Sequence, residues 1–312
     1  MTRQELAKLV ALLKTNGLAQ GSAFIICSVV VIALAVPLFP LPDPTEQDLS
    51  RALRPPAFIG AGSPEHPLGT DHLGRDVLSR VLWGSRVSII VGMGAVGLAV
   101  LIGVPLGVVG PYLGGRADDV MMRGFDVILC VPTLLAAIAV LSVVGQSLDM
   151  VIGVLGVTNS VWFARTVRSR VLSVKAEEYI GAAKAIGAND AWIIVRHVLP
   201  NVFAPVLILS TLWFGSMIIT ESSLGFLGLT KQHVSWGFMV AESKDYFVTS
   251  WWTITFPGLG ILLTALSANI FGDLLRDVLD PRLVVYGRRA VSAEAGGKVA
   301  PLKAAAPLRE QQ

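Results

Sequence analysis

The sequence predicts an all-α, polytopic membrane protein with six transmembrane helices. Of its 312 residues, 53% are hydrophobic and only 15% are charged, whereas about a quarter of an ordinary soluble domain is charged. Six windows also lack charged residues over most or all of the roughly 20 residues that a bilayer span requires. These windows are 15–42, 87–115, 127–148, 150–164, 198–220 and 246–272.

Each window takes its place in a simple order along the chain. The first is too long for a signal peptide and ends in a Pro/Leu-rich stretch, so it predicts a retained helix. The fourth is shorter than a full span, is separated from the third by Asp149, and is expected to recruit flanking residues. The resulting organisation is a cytoplasmic N-terminus 1–14, a first transmembrane helix 15–42, an extracytoplasmic loop 43–86, a core 87–282 with five further transmembrane helices, and an Ala/Gly/Pro-rich tail 283–312 expected to be disordered.

The distribution of basic residues predicts the orientation. If the N-terminus is inside, the cytoplasmic segments hold 18 of the 25 Lys and Arg residues. Basic residues concentrate in cytoplasmic loops, so the pattern favours both termini in the cytosol and an even number of spans. The five arginines of the outer loop 43–86 run against this pattern, but long loops count less.

The motifs that would indicate enzyme chemistry or an internal energy source are missing from the sequence. It contains no G-x-x-x-x-G-K-[ST], G-x-S-x-G or H-E-x-x-H pattern. Acidic residues in the predicted spans are few and lie at their edges, whereas a proton-driven carrier needs ionisable groups near the midplane. We therefore expect a chain that performs no covalent chemistry and is driven from outside.

Cysteine and histidine give weak metal signals. Cys27 and Cys130 lie in or beside predicted spans, which favours packing as small hydrophobic residues. His66 and His72 share the outer loop with Asp71 and Asp76, so a metal site is conceivable there. Their spacing matches no standard ligand pattern, and a solvated loop is the alternative.

A polar module between two predicted spans, at 177–201, reads "EEYIGAAKAIGANDAWIIVRHVLPN". Small or apolar residues recur at i, i+3, i+4 and i+7, which predicts a helix; they are Tyr179, Ala182, Ala183 and Ile186. Gly187 suits a left-handed helix end, and Asn189 or Asp190 suits the cap of a second helix that leads to Pro200 and the fifth span. The module could transmit a push into the membrane, or it could lie on the lipid surface.

The same module resembles the EAA loop of ATP-binding-cassette (ABC) importer permeases, E-A-A-x3-G-x9-I-x-L-P. Here Gly181-Ala182-Ala183 is followed after three residues by Gly187 and after nine more by His197-Val198-Leu199-Pro200. Gly181 replaces the acidic residue of the pattern, and His197 replaces its isoleucine. Glu178, three residues before Gly181, is a candidate substitute for the missing acid.

Three further segments resemble the "C" permeases of dipeptide and oligopeptide importers. "HPLGTDHLGRDVLSRVLWGSRVSIIVG" (66–92) is similar to their outer-loop signature. "ESSLGFLGL" (221–229), followed by Ser235-Trp236-Gly237, is similar to the loop after their fifth span. "NIFGDLLRDVLDPR" (269–282) resembles the C-terminal part of these permeases. Four ordered matches over about 65–290 make the resemblance specific.

The resemblance implies an ABC type I importer permease in a bacterial cytoplasmic membrane. Its partners would be a second permease in a heterodimer, two cytoplasmic ATPases, an extracytoplasmic binding protein and a peptide substrate. The chain would bind no cofactor, since ATP and Mg²⁺ would be used by the ATPases. The residues expected to couple to an ATPase are Glu178, Tyr179, Gly181, Ala182, Ala183, Ile186, Gly187 and Pro200.

The outer segments offer a second set of candidates. Gly69, Gly74, Arg75 and Asp76 could form an outer gate or a docking surface for the binding protein, or they could provide turn and cap chemistry. Glu221 could face the pathway and meet a peptide ammonium group, or it could cap a short helix.

Two other functions stay open at this level. The same architecture could import nickel or another small solute, which His- or Met-lined spans would favour. A self-sufficient ion-coupled carrier would instead show inverted repeats with broken helices and midplane acids, and neither is visible in the sequence.

Overall fold

The computed structural model describes residues 15–230 and 234–279, which fold into ten α-helices. The N-terminal segment 1–14 and the predicted disordered tail 283–312 lie outside the described residues. The helices are α1 (Gly17–Ala35), α2 (Val77–Leu113), α3 (Gly115–Cys130), α4 (Thr133–Val144), α5 (Leu148–Lys175), α6 (Glu178–Ala185), α7 (Asp190–Ile193), α8 (Leu199–Phe226), α9 (Trp236–Ser243) and α10 (Trp252–Leu279). Short 3₁₀ turns occupy Val36–Leu38 and Leu49–Arg51, and a π-helix, Ile194–Val198, joins α7 to α8.

Five helical runs in the described residues are long and apolar enough to cross a membrane, and the bent pair α3–α4 makes a sixth. The all-α, polytopic prediction is therefore confirmed. Helices α2 and α5 run parallel, since the positions that face each other rise in number together on both helices. An added methyl would meet Ile152 from Gly94, Phe163 from Gly103 and Ala164 from Gly107. Since α2 and α5 run in the same direction, α3–α4 must carry the chain back between them as one broken crossing.

The parallel pair packs through small residues on α2. At Gly107 an added Cβ would lie 2.5 Å from the Ala164 carbonyl oxygen and 2.8 Å from the Val167 Cβ. Gly103 and Gly107 form a small-xxx-small pair, which lets two membrane helices approach closely. Helix α2 is thereby held against α5 from Gly94 to Gly107.

The second and fourth crossings are longer than the sequence predicted. Helix α2 begins at Val77 rather than 87, because the Asp76 carboxylate caps it by accepting from the Ser79 amide at 2.7 Å. Helix α5 runs 28 residues, to Lys175. Arg165 and Arg168 extend it beyond the predicted window 150–164, and both pair with acids of α3.

The third crossing departs most from the predicted straight helix at 127–148. Helix α3 ends at Cys130, and α4 starts at Thr133 with a 79° bend between them. Val131 is extended, as a residue before proline prefers, and Pro132 precedes the first turn of α4. The Val131-Pro132 step therefore explains the break.

The remaining borders move by smaller amounts. The first crossing is Gly17–Leu38 instead of 15–42, and the last is Trp252–Leu279 instead of 246–272. The fifth crossing, predicted at 198–220, belongs to a continuous helical run from Asp190 to Phe226. Pro200 has no amide proton to donate to the preceding turn, and the π segment ends at Val198, two residues before this proline.

The bundle has two distinct ends. One, called here the loop end, carries residues 39–76 and α9; the other, called the α6 end, carries α6, α7 and the C-terminal ends of α2 and α5. Helix α8 runs opposite to α2, since Ser88 contacts Glu221 and Gly92 contacts Phe214. Helix α1 runs towards the loop end, because it continues through Val36–Leu38 into residues 39–76, and the Pro42 carbonyl there accepts from the Ser79 hydroxyl near the start of α2 at 2.6 Å.

Candidate functional site

Helix α6 is the short element that the EAA-like pattern predicted. Glu178 lies in its first turn, where a carboxylate is favourable at the helix N-terminus. Gly187 has φ +89°, and the Gly187 and Ala188 amides donate to the Lys184 and Ala183 carbonyls at 3.0 Å each. This pair of bonds is the Schellman ending that glycine permits, so the predicted role of Gly187 as a helix end is confirmed.

The two faces of α6 differ in burial. Ile186 is 87% exposed and Tyr179 is 44% exposed, and Ala182 and Gly181 are exposed beside them. Ile180 and Ala183 face the bundle instead, with 2% and 8% exposed. Ala183 therefore belongs to the buried face, which corrects its predicted place on the outer one, since it shares the i, i+3 row of Ile180.

The buried face of α6 rests on an apolar platform. Ile180 packs in a cluster with Val108 of α2, Val171 and Val174 of α5, and Ile193 of α7. Burial of such side chains stabilises contacts by roughly 1.5–3 kcal/mol each. The platform holds α6 against three helices at once and leaves its Tyr179–Ile186 side uncovered in this chain.

The turn after α6 leads directly into a crossing. The Asn189 side chain caps α7 by accepting from the Trp192 amide at 2.7 Å, so of the two predicted caps Asn189 is the one used. From there the helical run continues through the π segment and Pro200 to Phe226. Helix α6 is therefore joined to a crossing by a short turn and continuous helix, rather than by a long loop.

Glu178 is the candidate substitute for the missing acid of the EAA-like pattern. Glu178 is exposed, and within residues 15–230 and 234–279 it forms no ion pair. The position of Gly181 is also open within the described residues, since an added Cβ there would meet nothing within 4 Å.

At the loop end, four charged side chains form a buried cluster. The Arg75 Nε donates to Asp71 at 2.7 Å and its Nη2 donates to Glu242 at 2.9 Å. Arg80 also bridges the two acids, pairing with Asp71 and, at 2.6 Å, with Glu242. The cluster is electrically balanced and joins the loop and α2 to α9.

The surroundings of Asp71 favour its ionised form. Burial opposes its charge, but Arg80, Arg75 and two backbone amides outweigh that effect and hold the pKa of Asp71 below its usual value. Charge-assisted bonds of this type are stronger than neutral ones. Asp71 is thus a structural anion of the loop.

The other predicted outer residues also support structure. Asp76 caps α2, and its second oxygen lies 3.0 Å from Nδ1 of the buried His66. Gly69 and Gly74 have φ of +81° and +75°, and an added Cβ would collide with the backbone carbonyls of Arg54 and Asp48 respectively. Arg75 and Asp76 are 8% and 4% exposed, which supports the turn-and-cap interpretation over an exposed docking surface.

The conceivable metal site divides into separate contacts. His66 pairs with Asp76, whereas the His72 ring stacks on Tyr246 at 5.2 Å. Among the residues that the structure describes, no group of three or more His, Cys, Asp or Glu side chains is placed to hold a metal ion.

Glu221 lies inside the bundle rather than on a pathway surface in this structure. It is fully buried, and its Oε2 accepts from the Ser88 hydroxyl at 3.0 Å. Its Oε1 has no hydrogen-bond partner among the described residues. Gly225 and Gly237 allow close packing, since an added Cβ would lie 2.8 Å from the Phe238 amide nitrogen and 2.2 Å from the Ser222 carbonyl oxygen respectively.

Several residues that organise the two ends carry no local sequence signal. Glu242 joins Arg80 across 162 positions and Tyr112 joins Asp190 across 78. Asp118 holds Arg168 with two oxygens, at 2.9 and 2.6 Å. Charged residues in or beside a predicted span indicate that a partner of opposite charge is needed, but they do not identify that partner.

The described residues form a helical bundle of membrane crossings with a short exposed helix held on one end, an architecture that membrane-embedded transport subunits share. Comparison with known proteins gives the family. The chain belongs to the family described as "Binding-protein-dependent transport system inner membrane component", which matches residues 85–285. It is therefore a permease subunit of an ABC transporter, a non-catalytic component whose partner ATPases hydrolyse ATP.

Curated relatives match most of the chain. The dipeptide transport system permease protein DppC of Alkalihalophilus pseudofirmus is 40% identical over 273 residues, covering 87% of this chain and 88% of that protein. The probable D,D-dipeptide transport system permease protein DdpC of Escherichia coli is 39% identical, covering 90% and 93%. A solved amino acid ABC transporter is similar at 16% identity and a TM-score of 0.45, covering 68% of this chain and 94% of its own.

Proposed function

We propose that this chain is one half of the translocation pathway of an ATP-driven peptide importer, and that α6 is its contact with an ATPase. The observation that carries the proposal is α6 itself. Its exposed side presents Tyr179, Ala182 and Ile186, while its other side is anchored on the apolar platform. Apolar side chains exposed together on a supported helix suit a partner's cleft.

Each residue of the 177–201 module has its own role in the proposed coupling. Tyr179, Ala182 and Ile186 enter the ATPase cleft, and the small Gly181 lets the partner approach. Ala183 positions α6 from below, Glu178 favours its first turn, Gly187 ends it, and Pro200 lies where the movement passes into α8. ATP-driven closure of two ATPases would draw two such helices together and shift an inward/outward equilibrium, which requires several kcal/mol.

The α6 end then lies in the cytosol together with both termini, in a bacterial cytoplasmic membrane. Described basic residues near this end include Arg168, Lys175 and Lys184, as the positive-inside rule expects. The loop end then faces outward, towards an extracytoplasmic binding protein. The second permease completes a heterodimer, and ATP and Mg²⁺ are bound by the ATPases rather than by this chain.

Peptide is the proposed cargo because the relatives above are named as dipeptide permeases. No observation on the described residues favours nickel, and family membership argues against a self-sufficient carrier.

Reconstitution tests the cargo. The chain is assembled with its partner permease, ATPases and binding protein in proteoliposomes, and ATP-dependent uptake is followed for labelled di- and tripeptides and for Ni²⁺. We expect peptide uptake and peptide-stimulated ATP hydrolysis. Stimulation by Ni²⁺ and not by peptides would replace the proposal with the metal-import alternative.

A further inference from the structure

Tyr112, at the C-terminal end of α2, is the meeting point of four elements. Its hydroxyl donates to the Asp190 carboxylate at the start of α7, at 2.8 Å. The Lys175 ammonium of α5 lies 5.2 Å from the centre of its ring, and the Lys184 ammonium of α6 lies 5.6 Å from it. We call Tyr112, Lys175, Lys184 and Asp190 the Tyr112 junction.

The junction is attached firmly to α2 and α5. The Lys175 ammonium donates to the Pro111 and Tyr112 carbonyls at 2.7 and 3.1 Å, which satisfies two free carbonyls at the end of α2. Tyr112 is only 9% exposed and belongs to the apolar platform beneath α6. Its hydroxyl nevertheless reaches the α6–α7 turn, where the Asp190 side chain is 70% exposed.

In addition to the apolar platform, α6 has two further connections to the membrane crossings, and both pass through Asp190. One is the helical run from Asp190 through Pro200 into α8. The other runs from Asp190 through the Tyr112 hydroxyl into α2, which is packed along α5. The hydrogen bond to the Asp190 carboxylate is of the stronger, charge-assisted kind, and the two lysine ammonium groups add cation–π attraction at the same ring.

We propose that Tyr112 is a positioning residue for energy coupling, which ties α2 to the α6–α7 turn so that displacement of α6 moves α2 together with α8. The inference rests on the proposed contact between α6 and the ATPase. It concerns what happens after docking, so Tyr112 is not itself part of the docking surface.

The test uses Tyr112→Phe in the fully assembled complex, because this change removes the hydroxyl and keeps the ring. Peptide uptake and ATP hydrolysis are measured on the same proteoliposomes, and ATPase co-purification is measured separately. We expect peptide transported per ATP hydrolysed to fall about three-fold or more, with ATPase co-purification unchanged. Tyr246→Phe, which removes a hydroxyl at the loop end, is the matched control and should leave the ratio unchanged.

A double-mutant cycle identifies the bond itself. Asp190→Ala should lower the same ratio, and the double variant should fall no further than the single variants. A normal ratio in Tyr112→Phe, or independent losses that multiply in the double variant, would overturn the proposal. If Tyr112→Phe does not assemble, Asp190→Ala decides, and a normal ratio there also overturns it. Loss of ATPase co-purification in Tyr112→Phe would contradict a role after docking.

Discussion

Arg80 is the most buried cation of the loop-end cluster, with 2% of its side chain exposed, and it bridges Asp71 and Glu242. Removing it leaves two acids to share Arg75. Loss of one partner from a buried ion cluster costs about 3–5 kcal/mol, since it leaves charge buried without compensation.

We therefore expect Arg80→Ala to lower the thermal unfolding temperature of the purified complex markedly. Arg51→Ala is the control, because Arg51 is 40% exposed in its pairs with Asp48 and Glu65 and such surface pairs contribute about 0–1 kcal/mol. Equal effects of the two substitutions would show that the cluster does not stabilise the loop end.

Local residue chemistry could be predicted where its partners lie within a few positions. Gly187 as a left-handed helix end and Asn189 as a cap both act within five residues along the chain. Two contacts could not be predicted, because only the folded bundle brings their positions together. They are the hydrogen bond between Tyr112 and Asp190 and the ion pair between Arg80 and Glu242. Ala183 was misplaced since a periodic row of small residues does not say which side of the helix is buried.

At the scale of elements, the close approach of α2 and α5 determines how movement at the α6 end spreads through the bundle. Their contact depends on small residues, with Gly107 held against the Ala164 carbonyl. A methyl group at this position must push the helices apart, and overpacking of this kind costs about 1–3 kcal/mol.

A matched pair of substitutions isolates this packing. Gly107→Ala and Gly97→Ala gain the same helix propensity, about 1 kcal/mol, but only the first would introduce a clash, since a Cβ at Gly97 meets nothing within 4 Å. We expect a lower thermal unfolding temperature for Gly107→Ala and a normal or higher one for Gly97→Ala. The reverse order would contradict the packing described here.

Most elements could be predicted from apolar length, but their ends could not. Charged residues at the start of α2 and the end of α5 made both predicted spans too short. Their partners of opposite charge lie on other elements and cannot be identified from the sequence. The break at Val131-Pro132 interrupts an apolar window without any charge to mark it. Composition predicts that a segment crosses the membrane, whereas capping, proline and ion pairing decide where a helix begins, bends and ends.

At the scale of the whole molecule, the two ends are built for different tasks. The loop end is joined by buried ion pairs, a capped helix and glycine turns. The α6 end presents a small exposed helix on an apolar platform, connected to α8 by continuous helix and to α2 by Tyr112. An external push at α6 would therefore reach both α8 and α2.

The most direct measurement of this account compares ATP-dependent peptide uptake and ATPase co-purification for Ile186→Glu and Val248→Glu. Ile186 is 87% exposed on α6, and Val248 is 79% exposed at the loop end, so both changes place a charge on an open surface without burying it. The account predicts that Ile186→Glu inserts normally but loses ATPase association and uptake, while Val248→Glu keeps ATPase association. Normal ATPase association and uptake by Ile186→Glu would contradict it.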